Sequence, residues 1–161
     1  SVASRGLGDV YKRQGYSWND KITIIDNRFI SERVNQIRNW NMNFVQGDIL
    51  DKEILKKYCH DADVVHHLAG ITDVPRVKSE SLEKKNELIS RVAEEGTQNI
   101  LDVINNKCKI IMPSSHAVFE GIENVRMNIK EDEKVNPVLS YGKSKAINEE
   151  QLKKSGKNIL Y

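Results

Sequence analysis

The chain alternates short apolar runs with segments in which apolar residues recur every three or four positions. Runs of the first kind predict β-strands, and segments of the second kind predict amphipathic helices. The strands are apolar throughout, a pattern typical of a parallel sheet that is covered on both faces. The order β-α-β-α-β-α-β-α-β therefore predicts an α/β fold with a doubly wound parallel sheet. The predicted strands lie near 21–25, 44–47, 64–69, 109–112 and 158–161, and the predicted helices near 30–40, 54–58, 88–104 and 141–154.

The composition narrows the class of protein. With 161 residues the chain is about one domain long. A formal charge of +2, with scattered basic residues, does not favour nucleic acid or a membrane surface as a partner. The longest apolar runs, about five residues, are far shorter than a membrane-spanning helix. Cys59 and Cys108 lack the spacing of metal ligands, so we expect reduced, buried thiols in a cytoplasmic protein.

The first fourteen residues differ from the rest of the chain. Residues 1–14 are rich in Gly, Ser and Arg and follow neither apolar period. We interpret them as a non-native, adapter-like segment and expect one partial domain over 15–161. Gly6 and Gly8 form a Gly-x-Gly, but no predicted strand precedes them, so a phosphate-binding loop there is a poor hypothesis.

Four candidate site residues lie just past the ends of predicted strands: Asp26, Asp48, Gly70 and Ser115. In a doubly wound sheet, ligands bind beyond the carboxyl ends of the strands. The sequence therefore predicts one site along this edge of the sheet.

The two carboxylates at this edge each have two possible roles. Asp26 could accept hydrogen bonds from both hydroxyls of an adenosine ribose, or it could cap the helix that follows. The first role favours NAD over NADP, although neighbouring Arg28 weakens that preference because an arginine can bind a 2′-phosphate. Asp48 could accept from an adenine amino group, with the backbone of Ile49 facing the ring, or it could form a turn with Gly47.

The third predicted strand closes with His66-His67-Leu68-Ala69-Gly70. Small residues at a strand end let the backbone approach a ligand closely. Neighbouring residues of a strand point to opposite faces, so His66 and His67 cannot chelate one ion together. We predict packing or hydrogen bonding for these histidines and no metal site.

Tyr141 and Lys145 are four residues apart and share one face of a predicted helix. An ammonium about 4 Å from a phenol favours the phenolate by about 4 kcal/mol at an effective dielectric near 20. Tyr141 would then act as general base when a substrate alcohol loses a proton and a hydride, and as general acid in the reverse direction. Lys145 could also hold ribose hydroxyls.

Two further residues accompany this pair. Ser115 follows the fourth predicted strand and could donate a hydrogen bond to a substrate oxygen, although an ordinary turn serine also fits the position. Glu149 lies one turn after Lys145, and we expect it to pair with Lys153 on the solvent side of the helix.

Seven segments carry the motifs of one known family, in that family's order. They are Ile24–Asn27, Gly47–Ile49, His66–Gly70, Gly96–Leu101, Ser114–Phe119, Asn136–Pro137 and Tyr141–Lys145. As a set they resemble the extended short-chain dehydrogenase/reductase family, the NAD-dependent epimerases and dehydratases of nucleotide sugars. The resemblance covers 15–161.

The resemblance implies a Rossmann-like domain that binds NAD and, at full length, a homodimeric enzyme that transiently oxidises a hydroxyl of a nucleotide sugar. An epimerase is the first expectation. A dehydrogenase or reductase of a small alcohol or ketone, using NAD or NADP, and a non-catalytic dinucleotide sensor stay open. The implied catalytic residues are Ser115, Tyr141 and Lys145, and the implied NAD site comprises Asp26, Asn27, Asp48, Ile49, Leu68, Ala69, Gly70, Tyr141 and Lys145.

The chain also departs from the family. A first strand with a glycine-rich turn should precede Gly15, and a substrate-binding region should follow Tyr161, so we interpret the chain as truncated at both ends. In the strand order 3-2-1-4-5-6 the absent strand is central, so the strands that end at Asp26 and Asp48 should not pair with the others. Because the glycine turn binds pyrophosphate, we expect residues 1–161 alone to bind NAD weakly and to be inactive. His116-Ala117 replaces the Asp-Glu of 4,6-dehydratases, which argues against dehydration.

Overall fold

The computed structural model describes residues 21–72, 82–122, 128–130 and 132–160, so the interpretation of residues 1–14 lies outside the described ranges. Within those ranges five strands alternate with four α-helices and one 3₁₀ helix, which confirms the predicted α/β order. The elements are β1 Thr23–Asp26, α1 Ser31–Asn39, β2 Asn43–Gln46, α2 Lys52–Cys59, β3 Val64–His66, α3 Leu82–Val103, β4 Lys109–Ile111, the 3₁₀ helix His116–Phe119, α4 Ser140–Ser155 and β5 Asn158–Leu160.

The strands pair in parallel, in two groups. β1 pairs with β2, with Thr23 opposite Asn43. β4 lies between β3 and β5, with Ile110 opposite Val65 on one side and Ile159 on the other. Among the described residues no ladder joins the two groups. The predicted parallel sheet and its division into two parts are therefore confirmed.

One hydrophobic core serves both groups of strands. Its centre is the strand β4, where the side chain of Ile110 is fully buried. Partly buried Ile25 of β1 packs against the same core, which joins the first group of strands to the second. Full burial of an aliphatic side chain stabilises a fold by about 1.5–3 kcal/mol. The buried members of this core are Leu55, Cys59, Ile100, Leu101, Val103, Ile104, Cys108, Ile110, Met112 and Leu152.

Helix α4 is fixed to helix α3 through amide side chains. Asn148 Nδ2 donates to the carbonyl oxygen of Ala93 at 2.9 Å, and Gln151 Nε2 donates to that of Glu94, also at 2.9 Å. These bonds use backbone oxygens in the middle of α3, so they set the position of α4 along its neighbour. Across the described ranges, no helix has the length and apolarity that crossing a membrane requires.

Strand β3 is shorter than the sequence predicts. The backbone N–H of His67 donates to the carbonyl oxygen of Ile111 in the neighbouring strand β4. The N–H of Leu68 donates instead to the carbonyl oxygen of His66 in its own strand, so the ladder ends before Ala69. Val64 and His66, on one face of β3, are exposed. The expectation that every strand is covered on both faces is therefore wrong for β3, one face of which is exposed.

Candidate active site

An open cavity of about 320 Å³ lies between the carboxyl ends of β3 and β4 and the start of α4. It brings together five residues that the sequence singles out: the backbone strip Leu68–Gly70, Tyr141 and Lys145. The sequence did not predict the remaining lining residues as site residues: Ile71, Thr72, Ile89, Ala93, Pro113, Ser114, Ser144 and Asn148.

Tyr141 and Lys145 lie next to each other in this cavity. The Lys145 ammonium is 5.9 Å from the centroid of the Tyr141 ring. Its Nζ also donates to the carbonyl oxygen of Pro113 at 2.9 Å, which holds it at the end of β4. Burial lowers the pKa of the Lys145 ammonium from its ordinary value. The expected placement on one helical face is observed, and the catalytic role of the pair remains a prediction.

Gly142 allows the start of α4 to pack closely against the segment after β4. A Cβ at this position would lie 2.5 Å from the carbonyl oxygen of Ala117 and 3.1 Å from its carbon. Both are backbone atoms, which cannot move aside as a side chain can. Glycine therefore lets the first turn of α4, which carries Tyr141, approach the 3₁₀ helix that follows Ser115.

Ser115 and Ser114 have different surroundings. Ser115 is the N-cap of the 3₁₀ helix, and its Oγ accepts from the backbone N–H of Ala117 at 3.3 Å. Ser114, and not Ser115, is among the described residues that line the cavity. The structure thus gives Ser115 a capping contact, and its catalytic role stays a prediction.

Ser114 donates its hydroxyl hydrogen to a carboxylate oxygen of Glu149. The other oxygen of Glu149 lies 3.6 Å from the ammonium of Lys153, so the predicted pair is confirmed. The predicted location on the solvent side is wrong, since the side chain of Glu149 is only 11% exposed. Glu149 instead faces the end of β4, where Ser114 bonds to it.

His67 belongs to a buried polar network that links β3, α3 and α4. Its Nε2 lies 2.9 Å from Thr97 Oγ1, and Asn148 Nδ2 donates to the same hydroxyl at 2.5 Å. Burial, with a smaller effect from the charge of Lys145, lowers the pKa of His67 to about 4. The imidazole is therefore neutral at neutral pH. The predicted hydrogen-bonding role is confirmed for His67, whereas His66 is exposed.

Asp26, Asn27 and Asp48 form a second polar group, at the carboxyl ends of β1 and β2 and apart from the cavity lining. Asp26 Oδ1 accepts from the backbone N–H of Arg28 at 2.9 Å. Asn27 Nδ2 donates to Asp48 Oδ2 at 3.2 Å, and Asp48 Oδ1 accepts from the backbone N–H of Leu50 at 2.9 Å. The turn role expected as one alternative for Asp48 is thus observed, and the nucleotide roles of these residues stay predictions.

Ile49 has a packing role in the structure. A Cβ at Gly96 would lie 2.9 Å from Ile49 Cγ2, so the glycine lets α3 approach the segment after β2. Asn99 Nδ2 donates to the carbonyl oxygen of Ile49 at 3.3 Å. These contacts connect the two groups of strands through α3. Within the described ranges, no group of three or more His, Cys, Asp or Glu side chains could hold a metal ion.

The fold is similar to the folds of solved sugar-nucleotide epimerases. UDP-glucose 4-epimerase from Brucella ovis, solved in complex with NAD, is 30% identical, with a TM-score of 0.67 over 91% of this chain and 42% of that chain. UDP-glucuronic acid 4-epimerase from Bacillus cereus, solved with UDP-glucuronic acid and NAD, is 24% identical, with a TM-score of 0.68 over 94% and 49%. The UDP-Glc/GlcNAc 4-epimerase from Campylobacter jejuni is 19% identical, with a TM-score of 0.69 over 92% and 45%.

The last two similarities, below 25% identity, establish the fold alone. The chain spans less than half the length of each of these solved structures. No curated protein sequence matches it. Residues 15–160 match the sequence profile of one family, described as the 3-beta hydroxysteroid dehydrogenase/isomerase family. The chain therefore belongs to the 3-beta hydroxysteroid dehydrogenase/isomerase family, within the extended short-chain dehydrogenases/reductases.

Proposed function

We propose that the protein, at full length, is an NAD-dependent epimerase that transiently oxidises a hydroxyl of a nucleotide sugar. The observation that carries the proposal is the cavity in which Tyr141 and Lys145 face the backbone strip Leu68–Gly70. A phenol and an ammonium beside an open strand end provide what is needed to take a proton from an alcohol next to a dinucleotide. The similarity to the NAD-bound epimerase from Brucella ovis supports this choice.

The residues present are suited to a dinucleotide. Among the described residues, nothing lies within 4 Å of a Cβ built at Gly70, which leaves room for a ligand at the strand end. Pro113 accepts from one of the three N–H donors of Lys145, and the ammonium can bind ribose hydroxyls with the others. The carboxylate of Asp26 ends the neighbouring strand group, where an adenosine ribose would bind. When bound, NAD supplies the acceptor for the hydrogen removed from the sugar carbon.

The chain's own residues would handle the proton. Tyr141 takes it from the sugar hydroxyl as general base and returns it as general acid. Lys145 stabilises the phenolate through its charge and keeps its position through the carbonyl oxygen of Pro113. Ser115, at the start of the 3₁₀ helix, would donate a hydrogen bond to the sugar oxygen.

The second candidate is an NAD(P)-dependent dehydrogenase or reductase of a small alcohol or ketone, a reaction type that the family's description as 3-beta hydroxysteroid dehydrogenase/isomerase favours. The two candidates differ in the fate of the cofactor. An epimerase leaves NAD at its starting redox state after each turnover, whereas a dehydrogenase accumulates NADH in step with product. A non-catalytic sensor would bind NAD and do neither.

The test replaces Tyr141 by Phe in the full-length protein, with Tyr58→Phe on α2 as the matched control. Turnover of UDP-sugars, followed by separating the epimers, should fall about 10²–10⁴-fold for Tyr141→Phe because general acid–base catalysis is lost. NAD binding measured by calorimetry should stay at the wild-type level in both variants. Full turnover by Tyr141→Phe would refute the proposal. NAD binding by the wild type without turnover would support the sensor.

We also infer a cytoplasmic location and, at full length, a homodimer. Cys59 and Cys108 are both free and buried. Burial raises the pKa of each thiol, which keeps it protonated and unreactive, as suits a reducing compartment. Sedimentation equilibrium of the full-length protein would measure the dimer, and fractionation of the source cells would test the location.

A further inference from the structure

We propose that Ser114 contacts the ligand as a hydrogen-bond acceptor and that Glu149 is the positioning residue that gives it this polarity. The identity of the ligand rests on the proposed function. The inference that Ser114 acts as a hydrogen-bond acceptor does not. Ser114 lines the cavity together with Tyr141 and Lys145. The sequence comparison with the family points to Ser115 instead, so Ser114 is a further polar group of the site.

The polarity of Ser114 follows from its partner. An ionised carboxylate can only accept hydrogen bonds, so the contact with Glu149 commits the single hydroxyl hydrogen of Ser114. Toward any other group, Ser114 Oγ offers only lone pairs. A hydroxyl that donates to a charged group is polarised, which strengthens it as an acceptor. Ser114 is therefore suited to an O–H or N–H of a ligand in the cavity.

Glu149 is held in place to perform this role. Its carboxylate lies on the buried side of α4 and its second oxygen faces the ammonium of Lys153 at 3.6 Å. One turn earlier on the same helix, Lys145 donates to the carbonyl oxygen of Pro113. Two side chains of α4 thus bind two successive residues after β4, and together they fix the position of Ser114 relative to Tyr141.

The two neighbouring serines have opposite hydrogen-bonding polarity. Ser115 Oγ accepts from the backbone N–H of Ala117, and none of its described contacts uses its hydroxyl hydrogen. Ser115 is thus a donor toward further partners, whereas Ser114 is an acceptor. Of the two, Ser114 is the one that lines the cavity, so the acceptor is the group that a ligand there meets.

The test compares Ser114→Ala with Ser114→Thr, which keeps the hydroxyl, in the full-length protein. The group that donates to Ser114 could be an amide of the cofactor or a hydroxyl of the sugar. The Kd of NAD, measured by calorimetry, reports on the first, and the KM of UDP-glucose reports on the second. Ser114→Ala should raise one of them about tenfold, the loss expected for one hydrogen bond. Ser114→Thr should stay within about threefold of the wild type. Wild-type values of both for a folded Ser114→Ala would overturn the proposal.

Glu149→Ala tests the positioning role, with the exposed neighbour Glu150→Ala as matched control, since Glu150 pairs with Lys154 in the same i, i+4 manner. Glu149→Ala should raise the same constant as Ser114→Ala, and the double variant should lose little more than either single one. Glu150→Ala should leave both constants unchanged. Additive losses in the double variant would refute the link between Glu149 and Ser114.

Amide hydrogen exchange distinguishes the loss of a ligand contact from a structural change in the 3₁₀ helix. Amide hydrogen exchange at Ala117 and Val118 in the 161-residue chain reports whether Ser115 still caps the 3₁₀ helix. Exchange should be unchanged in Ser114→Ala; faster exchange there would show a purely structural role and overturn the ligand contact. Full turnover by Tyr141→Phe would refute the proposed function without refuting the role of Ser114. The effect of Ser114→Ala on the Kd of NAD can be measured whether or not the protein is an epimerase.

Discussion

The two groups of strands differ in the burial of their inner positions. In the first region, residues 21–60, every residue of β1 is only half-buried. In the second region, the described residues from 61 to 160, β4 lies between two strands and Ile110 is fully buried. All residues that line the cavity belong to the second region. The Tyr141–Lys145 pair is therefore carried by the region that contains the fully buried strand position Ile110, although β3 and β5 of that region each expose two of their three residues.

The proposed roles of the two regions make different demands on side-chain placement. Proton transfer requires donor and acceptor to be placed within a fraction of an ångström, which rigid elements provide. The first region contributes Asp26 and Asp48, whose carboxylates are fixed by short local turns. Hydrogen bonds to a bound nucleotide can adjust on binding. We infer that the second region sets the geometry of the reaction and the first contributes to nucleotide affinity.

The largest expected effect compares one isoleucine from each region. Ile110→Ala should destabilise the chain by about 4 kcal/mol, because it leaves a cavity at a fully buried position. Ile24→Ala in half-buried β1 should cost about 1–2 kcal/mol, since less apolar surface is lost. Urea unfolding of both variants measures the difference. Equal losses would show that the two regions are packed alike and would remove the basis of the comparison.

The second prediction concerns the response of the second region to acid. His67 has its pKa lowered to about 4, compared with 6.5 for an unperturbed histidine. Below pH 6.5 the unfolded chain binds a proton that the folded chain does not, so stability falls as the pH falls toward 4. A shift of this size corresponds to a loss of roughly 3 kcal/mol, by the factor of about 1.4 kcal/mol per pKa unit.

Urea unfolding at a series of pH values between 7 and 4 would measure this loss. His67→Leu should flatten the dependence, and His116→Asn, at an exposed position, should keep it. Amide exchange at pH 4.5 should accelerate first in β3 and α4, where the network of His67 lies. A wild-type profile in the His67→Leu variant would show that other groups cause the acid response.

The sequence predicts the parts of the site that depend on a periodic pattern. The spacing of Tyr141 and Lys145 places them on one helical face, and the structure finds them together. The bonds of Ser114 to Glu149 and of His67 to Thr97 join residues 35 and 30 positions apart, so no local pattern contains them. The first arises from packing α4 against the end of β4, and the second from packing α3 against the end of β3.

The ends of elements were harder to predict than their order. Leu68 and Ala69 continue the apolar run of β3, yet the ladder ends at His66 because the chain turns back after His67. Apolar residues beyond a strand end can line a cavity as well as a core, and the pattern does not distinguish the two. For Asp48 the sequence allowed a nucleotide role or a turn, and only the contact with Leu50 shows that the turn forms.

The smallest expected effect uses two helix ends with similar backbone geometry. Helix α1 is followed by Asn41 with φ 59°, and α4 ends at Gly156 with φ 65°. Glycine adopts this left-handed region without the Cβ clash that asparagine carries. Asn41→Gly should therefore raise the free energy of unfolding by about 0.5 kcal/mol, and Gly156→Asn should lower it by about the same amount.

The pair of variants tests whether the two regions unfold together. In the part of the chain that the structure describes, a Cβ at Gly156 would meet nothing within 4 Å, so the cost there comes from the backbone. If unfolding is a single transition, the two changes should be nearly equal and opposite in urea, because each enters the same equilibrium. If the first region unfolds on its own, Asn41→Gly should slow amide exchange only in β1, α1 and β2 and leave β4 unchanged. That outcome would make the first region a separate cooperative unit. The two regions would then differ in how they unfold as well as in how deeply their strands are buried.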